Sequence, residues 1–246
     1  MNCDEQCFLY RCYLFLCFRQ HNQFLFMLSV VLIHEGRAVT FNLYPARWVI
    51  FDCFLQMKSH INAVVKSCNC QLREIGKIRQ YLTLEAATNL IHAFVSSRLD
   101  YGNSLLFGLP DTDLKKLQKV QNTAARILTR TGKYDHISPV LGDLHWLLIK
   151  DRIDFKILLL TYKSLNDLAP PYLLDLLQPY ESCRALRSEN QMNLKVPKTR
   201  LKSYGDRAFS HAAPKLWNKL PLEIKSASTL ELFKSKLKTH MFSSSQ

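Results

Sequence analysis

Seven glycines in 246 residues are too few for a fold of many short strands turned at glycine corners, so helices are the expected class. Signatures of catalysis are also missing. No two aspartates are adjacent, and G-x-G-x-x-G, G-x-x-x-x-G-K-[ST], H-E-x-x-H and G-x-S-x-G do not occur. The first absence argues against carboxylates converging on paired Mg²⁺ ions, and the others against nucleotide cradles, zinc hydrolysis and a nucleophile elbow. Eight cysteines are present, but no CxxC pair and no cysteine–histidine spacing of a zinc site. They read as reduced thiols of an intracellular chain, cytoplasmic or nuclear. Asp135, His136, Asp143 and His145 are the nearest approach to a metal set. Their spacing fits no known site, and hydrogen-bonded structural roles are expected. No cofactor and no small-molecule substrate is expected, and the chain is not expected to be an enzyme.

Long apolar runs are missing as well. The two longest, residues 12–18 and 24–33, flank the polar RQHNQ at 19–23, and neither reaches the ~20 residues of a membrane-spanning helix. Asp4 and Glu5 stand where a secretory signal carries positive charge. Residues 1–46 are therefore an unassigned, cysteine-rich extension, expected to lack regular order. A membrane-associated segment over residues 7–33 is the alternative.

Positive charge is plentiful. The chain carries 33 Lys and Arg against 20 Asp and Glu, a net +13. That excess favours an anionic partner without indicating a fold. It is concentrated after residue 180, where 13 basic residues face 5 acidic ones. Three regions follow: the extension 1–46, a helical region 47–180, and a basic region 181–246.

Apolar periodicity places the helices. Ile61, Val64, Val65, Cys68, Leu72, Ile75 and Ile78 recur at helical spacing within 57–79. Thr83 is placed to cap a second helix, with Leu84, Ala87, Leu90, Ile91, Phe94, Val95 and Leu99 on one face. Gly108–Asp111 turns the chain into a third helix ending at Gly132, and a fourth runs over 151–165 before Pro170 and Pro171. Trp48–Asp52 reads as a short strand. Residues 181–206 read as loop, with at most a brief strand at 194–196. A weak helix at 206–218 precedes a last one with Ser228 and Glu231 as a capping box.

The third helix has two opposed faces. Leu114, Leu117, Val120, Gln121, Ala124, Ile127 and Leu128 share one, and Lys115, Lys119, Arg126 and Arg130 the other. At ~100° per residue the four cations lie within roughly 60° of one another. Such a row suits a polyphosphate backbone, although charge on the outer side of an amphipathic helix is ordinary. A second cationic set comprises Arg184, Arg187, Lys198, Arg200, Lys202 and Arg207, interleaved with Tyr204, Phe209 and Trp217. Those aromatics suit either base stacking or core packing.

Seven motifs in order carry a resemblance: SHINAVVKSC (59–68), LIHAFVSSRLDYGNSLLFGLP (90–110), LQKVQNTAARILT (117–129), YDHISPVLGDLHWL (134–147), DRIDFKILLLTYKSLNDLAPPYL (151–173), RLKSYGDRAFSHAAPKLWNKLPLEI (200–224) and FKSKLKTHMF (233–242). Together they resemble the C-terminal part of the reverse-transcriptase polyprotein of Jockey-like non-LTR retrotransposons. The resemblance implies thumb-like antiparallel helices at about 57–165 and an irregular basic region ending in a helix. It implies that the metal-binding aspartates of the RNA-directed DNA polymerase lie upstream of this chain, and that the parts present grip RNA or DNA. Gly102, Gly142 and Leu148 depart from the family's usual cysteine, basic residue and proline. The expectation is a catalytically inactive chain that binds RNA or DNA without sequence specificity. The alternative is a transposon-derived reading frame with no selected function. The oligomeric state is left open.

Overall fold

The computed structural model describes residues 13–16, 28–34, 37–42, 49–52, 55–180 and 191–244. The chain is mainly helical, as its composition predicts. Among the described residues, eleven α-helical segments follow Met57: α1 Lys58–Ile78, α2 Leu84–Ile91, α3 Ser97–Asp100, α4 Asp111–Thr129, α5 Ile137–Asp143, α6 Ile149–Leu165, α7 Pro171–Leu174, α8 Lys202–Gly205, α9 Phe209–Trp217, α10 Leu222–Lys225 and α11 Leu230–Ser244. The described residues of the extension form three short strands that pair antiparallel in the order β1 (Tyr13–Leu16), β2 (Leu28–His34), β3 (Arg37–Asn42), with Val31 opposite both Tyr13 and Thr40. The strand expected at Trp48–Asp52 is not formed over its described part. Residues 49–52 have no partner strand, and Asp52 instead turns the chain by accepting the Gln56 amide at 2.7 Å.

Two compact units divide the chain, one within Met1–Tyr101 and Val120–Asp135, the other within Gly102–Lys119 and His136–Gln246. Helix α4 contributes its first part to the second unit and its last part to the first.

The first unit buries the periodic positions of α1. Ile61, Cys68, Leu72 and Ile75 pack with Ala87, Ile91, Phe94, Val95 and Leu99, and with Val120, Ala124, Ala125 and Leu128 of α4 among its core residues. Thr83 caps α2 as expected, its hydroxyl accepting the Ala86 amide at 3.2 Å. One departure lies in the middle of that helix. His92–Ser96 widens into a π turn that buries Phe94, Val95 and Ser96 in succession.

The C-terminus of α4 is also not where glycine predicts. Arg130 adopts the left-handed conformation at φ 57°, and the Thr131 amide donates to the Arg126 carbonyl at 3.2 Å. That is a Schellman closure built on arginine. Gly132 serves the next turn, where its amide donates to Asp135 Oδ2 at 2.8 Å.

In the second unit the core is aromatic. Tyr162 of α6 stacks on Phe233 of α11 with centroids 4.2 Å apart, and Trp217 of α9 lies 6.1 Å from Phe233. The Tyr162 hydroxyl donates to the Ala227 carbonyl at 2.7 Å. Helix α6 starts two residues earlier than its periodicity suggests, because Gln118 Oε1 accepts the Ile149 amide at 2.9 Å. This is a cap supplied from a distant residue rather than from the helix's own flank. The capping box expected for α11 does not form. Thr229, not Ser228, accepts the Leu232 amide, and Glu231 pairs with Lys234 at 2.7 Å.

Candidate nucleic-acid interface

The cationic segment after residue 191 is held at its start by three separate devices. Trp217 Nε1 donates to the Met192 carbonyl at 2.9 Å. The Asn218 side chain acts as a strand edge, accepting the Leu194 amide and donating to the Leu194 carbonyl, both at 2.8 Å. Buried Lys225 donates to the Gln191 carbonyl at 3.1 Å and to Asn193 Oδ1 at 2.9 Å. Burial lowers the Lys225 pKa, and its ammonium is spent inside the fold. A single antiparallel bridge joins Leu194 to Pro179, which is all that the brief strand expected at 194–196 amounts to.

Buried Leu194 fixes the register, and from Lys195 onward the cations face water. Lys195, Lys198, Arg200 and Lys202 are all exposed, and no acidic residue lies between Gln191 and Gly205. The chain bends at Arg200 and enters α8 at Lys202, so the four cations share one short stretch rather than one face of a strand. The far end is pinned as well. Thr199 Oγ1 donates to Asp206 Oδ1 at 2.5 Å, and Thr199 packs so closely on Gly205 that a Cβ there would lie 2.7 Å from the Thr199 Cβ. The Thr199 hydrogen bond is the main cause of a lowered Asp206 pKa, aided by His211, Lys215 and Lys202. Asp206 is thus ionised beside the end of the segment and marks where the unopposed positive charge stops.

The other expected site residues divide by environment. Arg207 is internal to the second unit: its Nε donates to the Phe107 carbonyl at 3.2 Å, and its side chain lies over Gly108, whose φ is 70°. A Cβ on Gly108 would come within 2.6 Å of Arg207 Cγ. Arg126, in the first unit, is half-buried and donates from Nη2 to the Asp135 carbonyl at 2.7 Å. Arg130 is exposed, with Nη2 3.3 Å from the Arg79 carbonyl. Lys115 and Lys119 are exposed in the second unit. Arg184 and Arg187 lie outside the described residues. Trp217 is a core residue at 1 % exposure, so its stacking role falls to packing, and Phe209 is half-buried. Tyr204 is 44 % exposed.

Lys195 completes the segment that the expected set entered only at Lys198. The local signal for it is the alternation of buried Leu194 with exposed Lys195, which becomes visible once Asn218 has fixed Leu194 inward.

Among the described residues, no group of three His, Cys, Asp or Glu side chains is placed to hold a metal ion. His145 meets Phe242 edge-on at 6.1 Å, and Asp135 is taken up by Gly132. No described helix is long and apolar enough to cross a membrane. The membrane-associated reading of residues 7–33 falls largely outside the described residues. No protein-family model, curated protein or solved structure matches this chain.

Proposed function

We propose that this protein binds single-stranded RNA or DNA without sequence preference, and without catalysis of its own, through the segment Lys195–Lys202. The observation that carries this reading is the combination of four exposed cations on one short stretch, no carboxylate among them, and anchoring at both ends. Anchoring matters because ordering flexible lysines on binding costs about 0.5–1.5 kcal/mol per side chain, and a backbone already fixed reduces what remains. Phosphate contacts of this kind supply affinity that is independent of sequence and strongly dependent on salt. Lys115 and Lys119 add positive charge to the same unit. The ordered motifs of residues 59–242 agree with descent from a retrotransposon reverse transcriptase, whose C-terminal part would retain such a grip.

A second reading, a transposon-derived chain with no selected function, draws on a different observation. Leu168, Tyr172 and Tyr180 are 56 %, 64 % and 50 % exposed within one short stretch, and such apolar surface favours aggregation. A mobility shift with a single-stranded oligonucleotide at low salt separates the two. A shifted, salt-sensitive complex supports binding, and unshifted oligonucleotide with aggregated protein supports the second reading.

A further inference from the structure

The turn that follows α4 holds an aromatic ring out in water and braces it there. Tyr134 is 91 % exposed. Its neighbours, by contrast, are tightly tied. The Gly132 amide donates to Asp135 Oδ2 at 2.8 Å, the Asp135 amide to the Gly132 carbonyl at 3.4 Å, and Arg126 Nη2 to the Asp135 carbonyl at 2.7 Å. The Thr129 and Thr131 hydroxyls share a hydrogen bond of 2.6 Å. The fold itself makes no use of the ring's apolar surface, and a loop this closely braced keeps it from folding back. Lys133 Nζ sits 5.6 Å from the ring centroid. It covers one face by a cation–π contact and leaves the other to solvent. Arg130 is exposed in the same turn. The carboxylate of Asp135, the turn's own acidic group, is engaged with the Gly132 amide. A ring with one open face, beside two exposed cations, matches the chemistry that stacks an unpaired base while holding its phosphate.

We propose that the Arg130–Asp135 turn is a second nucleic-acid contact, in which Tyr134 stacks an unpaired nucleobase and Lys133 and Arg130 receive the adjoining phosphates. This rests on the single-strand binding proposed above, but on different residues and in the other unit. The test uses the full chain and two probes, oligo(dT) and an abasic sugar–phosphate polymer of equal length. Wild-type protein is expected to bind oligo(dT) more tightly than the abasic polymer. Tyr134→Ala is expected to weaken oligo(dT) binding by about five- to a hundredfold, the range of one stacked base, and to leave abasic binding unchanged. Tyr134→Phe keeps the ring and is expected to bind as wild type. The exposure of Tyr134 makes both variants expected to fold, which their circular dichroism checks. If Tyr134→Ala binds oligo(dT) as wild type does, or if Tyr134→Phe loses as much as Tyr134→Ala, the stacking contact is overturned while phosphate binding stands. If wild-type protein binds neither probe at low salt, both readings fall together.

Discussion

The Arg79 guanidinium donates twice to the Leu128 carbonyl, from Nε at 3.2 Å and from Nη2 at 2.8 Å. Nη1 donates to Leu82 at 3.0 Å, and Nε also reaches the Ile127 carbonyl at 3.2 Å. One side chain, placed just after α1, thereby satisfies carbonyls in the last turn of α4 that the helix cannot satisfy itself. A cation is also favoured there by the helix dipole. The proximity of Arg130 opposes this: burial, then repulsion from Arg130, lowers the Arg79 pKa. Arg79→Ala is expected to destabilise the protein by about 2 kcal/mol, as loss of charged hydrogen bonds does. Arg79→Lys should recover only part of that, because an ammonium cannot reproduce the fork. Urea denaturation of the three proteins reads both effects.

The aromatic stack of the second unit predicts a larger loss. Phe233 is fully buried between Tyr162 and Trp217. Phe233→Ala is expected to cost about 3–5 kcal/mol. Tyr162→Phe keeps the stack but leaves the Ala227 carbonyl without its donor, at about 1–2 kcal/mol. Because the two residues touch, the double variant should fall short of the sum. The denaturation midpoints of the single and double variants check this.

Arg207 separates structural from phosphate-binding arginine. Its hydrogen bond to Phe107 and its packing over Gly108 place it inside the second unit. Arg207→Ala is expected to lower stability by about 1–2 kcal/mol while leaving the salt dependence of oligonucleotide binding unchanged. A reduced salt slope in a folded Arg207→Ala protein would instead assign it a phosphate.

Asp154 gives a pH dependence of definite sign. Burial, reinforced by the nearby Asp151 carboxylate and partly offset by Lys150 and Lys219, pushes its pKa up to about 6 from 3.8. The folded state therefore holds this proton more tightly than the unfolded chain. Its stabilising contribution is complete below about pH 4 and disappears as pH rises through about 6. Asp154→Asn should unfold at higher denaturant than wild type at pH 7, with the difference shrinking towards pH 4. Equal differences at both pH values would contradict the assignment.

Much of this architecture can be read from local periodicity. The buried faces of α1 and α4 and the Thr83 cap follow from residue spacing, because each depends on neighbours within two turns. The misread positions share another cause. Helix α6 begins at Ile149 because Gln118, 31 residues away, supplies its cap. The left-handed residue closing α4 is Arg130 rather than Gly132, with Arg79 donating to the carbonyls before it. Sequence leaves Trp217 open between base stacking and core packing, and it is Phe233, on a different helix, that buries it. The candidate interface divides in the same way. Positive charge after residue 180 is plain in composition. Which cations remain free depends on distant partners, Phe107 for Arg207 and Gln191 with Asn193 for Lys225.

The central claim is that Lys195, Lys198, Arg200 and Lys202 neutralise phosphates. Its most direct measurement is the affinity for a single-stranded oligonucleotide as a function of salt, for wild-type protein and for a variant with all four changed to glutamine. Wild-type affinity is expected to fall on a straight line in log–log form, losing about 0.7 in slope for each phosphate contact removed. The fourfold variant should bind more weakly and with a slope shallower by up to about 3. A folded fourfold variant that keeps the wild-type affinity and slope would contradict the claim.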